Sequence, residues 1–443
     1  MVPRSPCNII DGMGIPGVSG FENALSWIIE TLEGRDIVWA LTGSTSFALQ
    51  GVPVNVHDID IQTDARGAYA IQALFADKIE RPVAFLESPN IRSHFGTAKV
   101  EGVTVEIMGA IQKRTRWPQE ADEYRAPEWE PPVDVGALRI FIRWQGHTVP
   151  VLPLEYEYGA YVKLGRAEKA ETLKRFMHRK AEGGLITVLC STSPVARLAD
   201  RIWSDPDATV EGVRRLGWPF VELRLWEEWN RPFIDIASQI SRYADVLAVH
   251  APPVTERLLC LPDASPARSV LQRCSEVATG CGAKVVVVHA WDLRLSNFDK
   301  TTLIRNLNDE AARLAESGIR LSIENIPGHS VLLPDIAASC PGVTFTIDTQ
   351  WTTLENSWEL VRTLTPRVDN VHVQSHISVT DDGPYLGRVS GGRFQPSEVL
   401  AGFVGRGFKG FLTLEPKGVS QNGEVHLTKA LVMLKKLALR ATR

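Results

Sequence analysis

The stretch "KVVVVHAW" (284–291) decides the fold of the larger part of this chain. Four consecutive valines leave no polar face, so a strand built from them must be covered on both sides. Parallel sheets flanked by helices contain strands of this kind, whereas a sheet with one face in water alternates apolar and polar residues. His289 follows the last valine and therefore puts an ionisable side chain at the end of a buried strand.

Seven similar apolar runs occur in the C-terminal part of the chain, and helix-like stretches separate them. Within residues 299–318, for example, Leu303, Leu307, Ala311 and Leu314 recur at the spacing of one helix face. Eight strand–helix units in about 250 residues are typical of a (β/α)8 TIM barrel. A doubly wound open sheet is the alternative, but no glycine fingerprint follows the first strand. The other seven runs are 186–191, 220–225, 246–251, 320–326, 343–349, 369–376 and 410–416.

Acidic or histidine side chains lie late in seven of these eight predicted strands. Charged groups are costly there unless they pair or bind a metal ion. Carboxylates together with imidazoles suit one divalent ion, such as Mn²⁺, Mg²⁺, Co²⁺ or Zn²⁺. Such an ion would polarise the carbonyl group of a hydroxy-carbonyl substrate while a carboxylate moves the proton. The residues are Glu222, His250, His289, Glu324, Asp348, His372, His376 and Glu415.

This set of residues resembles the xylose-isomerase-like superfamily, which contains sugar (phosphate) isomerases, epimerases and endonuclease-IV-type enzymes. The resemblance implies a metal quartet of Glu324, Asp348, His372 and Glu415 and a catalytic acid/base role for Glu324 and Glu415. His250 and His289 match histidines that bind metal in the nuclease branch and substrate elsewhere. Trp351 stands where the family often has the histidine of a DxxH motif, and it would form an apolar wall. The residues assigned to substrate binding are Glu222, His250, His289, Trp351 and His376.

A second site is predicted in the N-terminal part, at "HDIDIQTD" (57–64). In a strand, Asp58 and Asp60 project side by side while the neighbouring isoleucines pack on the other face. Two carboxylates this close repel unless a cation lies between them. Glu106 interrupts another apolar run, "GVTVEIMGA" (102–110), and supplies a third acid. Upstream, "TGS" (42–44) ends a strand and opens a helix, with Ser44 as its cap and backbone amides facing an anion.

The segments "GSTSFALQG", "DID" and "VEIMG" resemble the polymerase-β-like nucleotidyltransferase superfamily, especially its small bacterial members. The resemblance implies an α+β domain that uses Mg²⁺ and a nucleoside triphosphate. Asp58, Asp60 and Glu106 would be its metal ligands and catalytic groups. Residues 152–180 have helical character and contribute two of the expected phosphate or substrate contacts. The residues assigned to nucleotide binding are Gly43, Ser44, Arg92, His94, Lys163 and Arg166.

Composition narrows the remaining functional classes. The net charge is −4 and the pI about 6.2, which argues against general nucleic-acid binding. The six cysteines show no CxxC pairing, as expected of reduced thiols in a cytoplasmic protein. No apolar run approaches membrane-spanning length. A break at "AEGG" (181–184) predicts two domains, residues 1–183 and 184–443.

The sequence therefore predicts a two-domain α/β protein with two active sites. The leading hypothesis is a bifunctional metal-dependent enzyme: nucleotidyl transfer in the N-terminal domain and isomerisation or epimerisation of a small sugar-like substrate in the barrel. One alternative is a nucleotide-binding regulatory domain on a barrel enzyme. Others are an endonuclease-IV-like phosphodiesterase and a toxin-like enzyme that modifies RNA. Whether the chain forms a homodimer stays open.

Overall fold

The computed structural model describes most of the chain. The described ranges are 9–11, 19–114, 129–184, 186–196, 205–289, 291, 298–328, 330–374, 377–380, 383–386, 401–416 and 423–441. The chain divides into two compact units, Met1–Met177 and His178–Arg443. None of the described helices is long and apolar enough to cross a membrane.

The N-terminal unit is built on one mixed eight-stranded sheet with the strand order β1-β7-β8-β2-β3-β6-β5-β4. Its central strands pair in both senses: β2 is antiparallel to β3, and β3 is parallel to β6. The strands are β1 (Ile9–Asp11), β2 (Trp39–Thr42), β3 (Ile59–Thr63), β4 (Ile79–Glu87), β5 (Ile91–Val100), β6 (Val103–Lys113), β7 (Ile140–Trp144) and β8 (His147–Val151).

The helices of this unit start and stop at recognisable signals. The helix α3 begins after Asp64, whose carboxylate accepts the N–H of Gly67. Residues 152–180 have the helical character that was predicted. They contribute to two helices, because Gly165 adopts the left-handed conformation (φ +70°) and ends the first. The helices are α1 (Ser19–Leu32), α2 (Gly43–Leu49), α3 (Ala65–Leu74), α4 (Val135–Leu138), α5 (Leu154–Lys163) and α6 (Ala167–Glu182).

The C-terminal unit is a closed barrel of eight parallel strands, which confirms the predicted fold. The strands follow chain order around the barrel, and the last one pairs with the first. The four valines of 285–288 are fully buried, as a strand covered on both sides requires. The strands are β9 (Thr187–Ser191), β10 (Phe220–Arg224), β11 (Asp245–His250), β12 (Val285–His289), β13 (Arg320–Glu324), β14 (Val343–Asp348), β15 (Val368–Val373) and β18 (Phe411–Leu414).

Helices surround the barrel strands and bury their apolar faces. In the helix α12, for example, Leu303, Leu307, Ala311 and Leu314 are buried, as their spacing predicts. An antiparallel hairpin, β16 (Ile377–Thr380) and β17 (Gly383–Leu386), is inserted between β15 and β18. The helices are α7 (Thr192–Val195), α8 (Pro206–Leu216), α9 (Phe233–Ile240), α10 (Val254–Leu259), α11 (Ser265–Cys281), α12 (Lys300–Glu316), α13 (Leu333–Ser339), α14 (Thr349–Leu354), α15 (Trp358–Thr363) and α16 (Gly423–Ala441).

Candidate active sites

Three acids meet at the centre of the N-terminal sheet. Asp60 on β3 is the register partner of Glu106 on β6, and Asp58 immediately precedes β3. Their ligand atoms lie within 4.8 Å of one another. Ile59 and Ile61 point the other way and are fully buried. The alternation predicted from the DxD sequence therefore places the carboxylates together.

The three carboxylates do not tolerate one another without a counter-charge. Burial and the neighbouring Asp58 raise the pKa of Asp60 to about 8. Burial and Asp58 also raise the pKa of Glu106, whose side chain hydrogen-bonds Asp60. Two carboxyl groups can share such a bond only if one keeps its proton. This donor set of oxygens around a retained proton fits a hard divalent cation such as Mg²⁺, which would replace the proton.

Gly43 makes room for this cluster. It adopts the left-handed conformation (φ +65°), and a Cβ at this position would lie 2.0 Å from Asp60 Oδ2. The next two residues hold Asp58: the Ser44 hydroxyl lies 3.4 Å from its Oδ1, and the Thr45 hydroxyl donates to its carbonyl oxygen at 2.6 Å. Only glycine therefore fits at the turn that begins α2.

Glu157 on α5 is a member of this site that the sequence analysis missed. Its buried carboxylate accepts the hydroxyl of Thr42 and the N–H of Gly43, and burial raises its pKa to about 7. Two expectations change as a result. The Gly43 amide faces a carboxylate of its own chain, and the N-cap of α2 is Thr42 rather than Ser44. No local signal marks Glu157, because only the packing of α5 brings it to the turn.

The cluster opens into a cleft of 1090 Å³. Its walls mix the acids with basic side chains, so it can accommodate an anion beside bound cations. Lys113, a buried lysine whose ammonium group lies 2.9 Å from the Tyr156 hydroxyl, was also missed by the sequence analysis. The basic residues that line the cleft are Arg81, Lys113, Arg166 and Lys169.

Of the four cationic or histidine residues predicted to contact nucleotide, the structure brings only Arg166 to the cleft. The alternation of β5 directs Ser93 into the cleft and its neighbours elsewhere. Arg92 bonds Gln112 at 3.0 Å, and His94 contacts the hydroxyl of Tyr69 at 3.1 Å. Lys163 forms a salt bridge of 2.8 Å with Glu130. A nucleotide-binding role for Arg92, His94 and Lys163 would need a rearrangement of these contacts.

The predicted quartet of the barrel also comes together. Glu324, Asp348 and His372 lie at the ends of β13, β14 and β15, and Glu415 follows β18. Their ligand atoms lie within 4.8 Å of one another. The Nδ1 atom of His372 is 3.2 Å from Glu324 and 3.4 Å from Glu415. The four groups therefore occupy the end of the barrel where such enzymes perform chemistry.

One side-chain oxygen of the quartet, Oδ2 of Asp348, is not satisfied by the hydrogen bonds around it. Asp348 Oδ1 accepts the N–H groups of Gln350 and Trp351, but the buried Oδ2 has no hydrogen-bond partner among the described residues. Burial and the nearby Glu324 raise the pKa of Asp348 well above its usual range. A buried carboxylate oxygen without a partner is costly. The donor set of three carboxylates and one imidazole fits a single divalent cation, which would satisfy Oδ2.

Glu222 lies behind His372. It is fully buried, and it accepts Nε2–H of His372 at 3.1 Å and the side-chain amide of Asn370 at 2.6 Å. Although burial opposes protonation, Glu222 and Glu324 raise the pKa of His372 well above its usual range. Glu222 therefore fixes the orientation of His372 and leaves Nδ1 directed at the quartet. This position is distinct from the substrate contact that the sequence analysis assigned to it.

His250 and His289 flank Glu324 on the other side. The Nε2 atom of His250 lies 2.8 Å from Glu324, and that of His289 lies 3.3 Å from it. The Nδ1 atom of His289 contacts Glu256 at 2.5 Å. Glu256 on α10 was not identified from the sequence, because it follows a strand instead of ending one. Burial opposes the charge of His289, but Glu324 and Glu256 raise its pKa to about 9.

Of the two remaining predicted substrate contacts, Trp351 and His376, the structure describes only Trp351. Trp351 lies in α14, three residues after Asp348, and its side chain is partly exposed. Its backbone N–H bonds Asp348 Oδ1 at 3.0 Å. His376 lies outside the described residues.

Arg224 is the second residue of the barrel site, after Glu256, that the sequence analysis missed. It is the last residue of β10 and the register partner of His250. Its Nη1 atom lies 2.8 Å from His250 Nδ1. Burial and this guanidinium lower the pKa of His250 to about 4, so the imidazole is neutral. The signal was present, because Glu222 and Arg224 are two residues apart in one strand and therefore share a face.

Comparison with known proteins identifies the family of the N-terminal part. The family model for aminoglycoside-2''-adenylyltransferase matches residues 24–176. A solved structure described as a putative nucleotidyltransferase from Thermotoga maritima is 46% identical, covers 36% of this chain and 93% of its own, and has a TM-score of 0.30. Through its N-terminal part, the chain therefore belongs to the nucleotidyltransferase family, as predicted.

Solved barrels resemble the C-terminal part. A xylose isomerase domain protein from Planctomyces limnophilus is 17% identical, with 57% of this chain and 95% of that chain covered and a TM-score of 0.42. An L-ribulose 3-epimerase is 14% identical, with coverages of 58% and 96% and a TM-score of 0.44. Xylose-isomerase-like and epimerase barrels are thus among the structures to which the chain is similar. No curated protein matches it.

Proposed function

We propose that the chain is a two-site enzyme of small-molecule metabolism. Its N-terminal domain would transfer a nucleotidyl group from a nucleoside triphosphate, and its barrel would isomerise or epimerise a sugar-like substrate. The observation that carries the first half is the cluster of Asp58, Asp60 and Glu106, whose ligand atoms lie within 4.8 Å of one another beside Gly43. The second half rests on Asp348 Oδ2, a buried carboxylate oxygen that has no hydrogen-bond partner among the described residues.

In the N-terminal domain, Asp58, Asp60 and Glu106 would hold Mg²⁺. When bound, the ion would neutralise the triphosphate and favour departure of pyrophosphate. Arg166 and Lys169 line the cleft and would bind the phosphate groups as point charges. Glu157 holds the Thr42–Gly43 turn in place and, with a pKa near 7, can accept a proton within the same cleft. The name of the matching family model makes ATP the first nucleotide to assay.

In the barrel, Glu324, Asp348, His372 and Glu415 would hold one divalent ion. When bound, the ion would polarise a substrate carbonyl group. Glu415 keeps 17% of its side chain exposed, against 3% for Glu324, so it is the carboxylate that substrate reaches first. Glu256 orients His289, whose Nε2–H lies against Glu324 and can hold or return a proton there.

A phosphodiesterase is the second candidate, because His250, His289 and Glu324 form another group with metal-ligand geometry. Arg224 opposes a second ion at this group. Its guanidinium would repel a dication, and its Nη1 atom lies against both ring nitrogens of His250, whose Nε2 also bonds Glu324. One ion in the barrel supports isomerisation, whereas two support phosphoester hydrolysis.

The proposed activities are tested separately in the full chain. Pyrophosphate release from Mg²⁺·ATP with a panel of hydroxylated acceptors tests the first. Asp60→Asn should lower it by about 10³-fold, since several kcal/mol of charge stabilisation are lost. Asp77→Asn, on an exposed carboxylate, is the control. Binding of Mg²⁺·ATP without pyrophosphate release would favour a regulatory domain instead.

Barrel activity is followed by exchange of substrate C–H hydrogen with deuterated solvent over a panel of ketoses and aldoses. Glu415→Gln should abolish this exchange while the N-terminal activity persists. Elemental analysis gives the number of ions in the barrel when the Asp60→Asn variant is used. Full exchange by Glu415→Gln would contradict the isomerase proposal.

A further inference from the structure

Arg224 is a buried cation to which the described residues supply no anion. Only 7% of the residue is exposed. Its guanidinium touches the neutral imidazole of His250 and lies over the ring of Trp226, 5.2 Å from the ring centroid. The Nε atom is buried and has no hydrogen-bond partner, and no carboxylate in the described part of the chain lies within 4.0 Å of the guanidinium.

Burial of this positive charge is unfavourable unless an anion lies beside it. A guanidinium does not lose its proton in a protein, so Arg224 cannot escape the cost of burial by becoming neutral. The buried Glu310 elsewhere in the barrel shows the usual arrangement, because it receives both Arg268 and Arg313. The unpartnered Nε therefore indicates that an anion which the described residues do not supply belongs beside Arg224.

The position of Arg224 ties that anion to the substrate. Arg224 ends β10 at the same end of the barrel as the quartet. His250 links Arg224 to Glu324 of the quartet, because Nη1 of Arg224 lies against both ring nitrogens of His250 and His250 Nε2 lies 2.8 Å from Glu324. Arg224 also acts electrostatically on Glu415 and His289. A molecule whose reacting carbons lie at the quartet would thus reach Arg224 with a neighbouring group.

We propose that Arg224 binds an anionic group, a phosphate or a carboxylate, of the barrel's substrate. A guanidinium recognises both groups through parallel N–H donors, and Nε is a buried donor to which the described residues offer no acceptor. The substrate class is therefore a sugar phosphate or a sugar acid rather than a neutral sugar. This inference rests on the proposed isomerase or epimerase function for its turnover test, but its binding test stands alone.

The binding test uses the full chain and two probes, inorganic phosphate and glycolate, in thermal unfolding and calorimetry. One or both should raise the melting temperature of the wild type. Arg224→Met should weaken that binding by about 10–100-fold, the loss expected for a charge-assisted hydrogen bond. Arg320→Met is the matched control, because Arg320 begins β13 at the opposite end of the barrel and pairs with Asp369. Anion sites of the N-terminal domain contribute equally to all variants.

The outcomes are distinct. Binding of phosphate alone identifies a sugar phosphate, and binding of glycolate alone identifies a sugar acid. If neither probe binds, or if Arg224→Met binds like the wild type, the inference is wrong. Should Arg224→Met fail to fold, Arg224→Lys keeps the charge and removes the planar fork, and it should still weaken probe binding. A purely structural role predicts a lower melting temperature for Arg224→Met, whereas an anion site predicts an equal or higher one without the probes.

The turnover test compares D-fructose, D-fructose 6-phosphate and D-fructuronate. In the wild type, kcat/KM should be highest for an anionic sugar, and Arg224→Met should lower that value by about 10–100-fold more than it lowers the value for the neutral sugar. If none of the three is turned over but a probe binds through Arg224, the isomerase proposal fails and the anion site remains. Preferred turnover of D-fructose in the wild type would overturn the inference.

Discussion

Asp60 and Glu106 are register partners on the parallel strands β3 and β6, and their side chains share a hydrogen bond. That bond requires a proton, which Asp60 holds with a pKa of about 8 because of burial and the charge of Asp58. Replacing the proton by a divalent cation removes the repulsion among all three acids. Metal binding and proton release are therefore coupled at this site.

The first prediction concerns this coupling. Because the pKa of Asp60 is raised in the folded chain, its contribution to the metal-free stability is full below about pH 4 and is lost as pH rises towards 8. Mg²⁺ should therefore stabilise the chain more as pH rises through this window. Calorimetry at pH 7 in buffers of different ionisation enthalpy should show release of about one proton per Mg²⁺ bound.

Asp60→Asn should remove the proton release, and Asp77→Asn should not. Mg²⁺ binding by the wild type without a dependence on buffer would contradict the shared proton.

The second prediction concerns Gly43. Both Gly43 and Gly34 have a positive φ, +65° and +72°, but only Gly43 has a neighbour where a Cβ would lie. Gly34→Ala should cost about 1–2 kcal/mol of stability for its backbone conformation alone. Gly43→Ala should cost roughly 2 kcal/mol more and should also weaken Mg²⁺ binding, because Asp60 must move. Urea unfolding and calorimetry measure the two effects, and equal stability of the two variants would show that the approach of Asp60 is unimportant.

Much of this architecture was predictable from the sequence because it depends on local pattern. The valines of 285–288 can form only a doubly covered strand, and the period of two aligns Asp58 with Asp60. Glu157 and Glu256 could not be predicted, since helices distant in sequence bring them to the sites. The helical character of residues 152–180 was predicted, but the break between α5 and α6 at Gly165, which has a positive φ, was not. Local helix propensity does not show whether such a glycine adopts the left-handed conformation.

The third prediction concerns metal binding by Asp348. Asp348→Asn keeps an oxygen that can accept the N–H groups at the start of α14 but replaces the unpartnered Oδ2. The barrel should lose its divalent ion, and the metal-free variant should be more stable than the metal-free wild type, because a buried charge is gone. Elemental analysis and unfolding in the presence of EDTA test both. Asp299→Asn, at the same cap position of α12, should leave metal content unchanged.

The fourth prediction separates orientation from packing at Glu222. Glu222→Gln keeps the size of the side chain and can still accept from Asn370, but it removes the charge that supports His372. Affinity of the barrel for its divalent ion should fall by about 10–100-fold, as for other partners of metal-bound histidines. A chelator competition experiment gives the affinity directly.

Glu310→Gln is the matched control for Glu222→Gln, because both glutamates are fully buried and paired. Loss of charge at Glu310 should lower the melting temperature by weakening two ion pairs on α12, while the affinity for the divalent ion stays at the wild-type value. Metal affinity should therefore fall in Glu222→Gln, whereas stability should fall in Glu310→Gln. Equal metal affinity in Glu222→Gln and the wild type would mean that packing alone orients His372, and Glu222 would then have no part in the metal site.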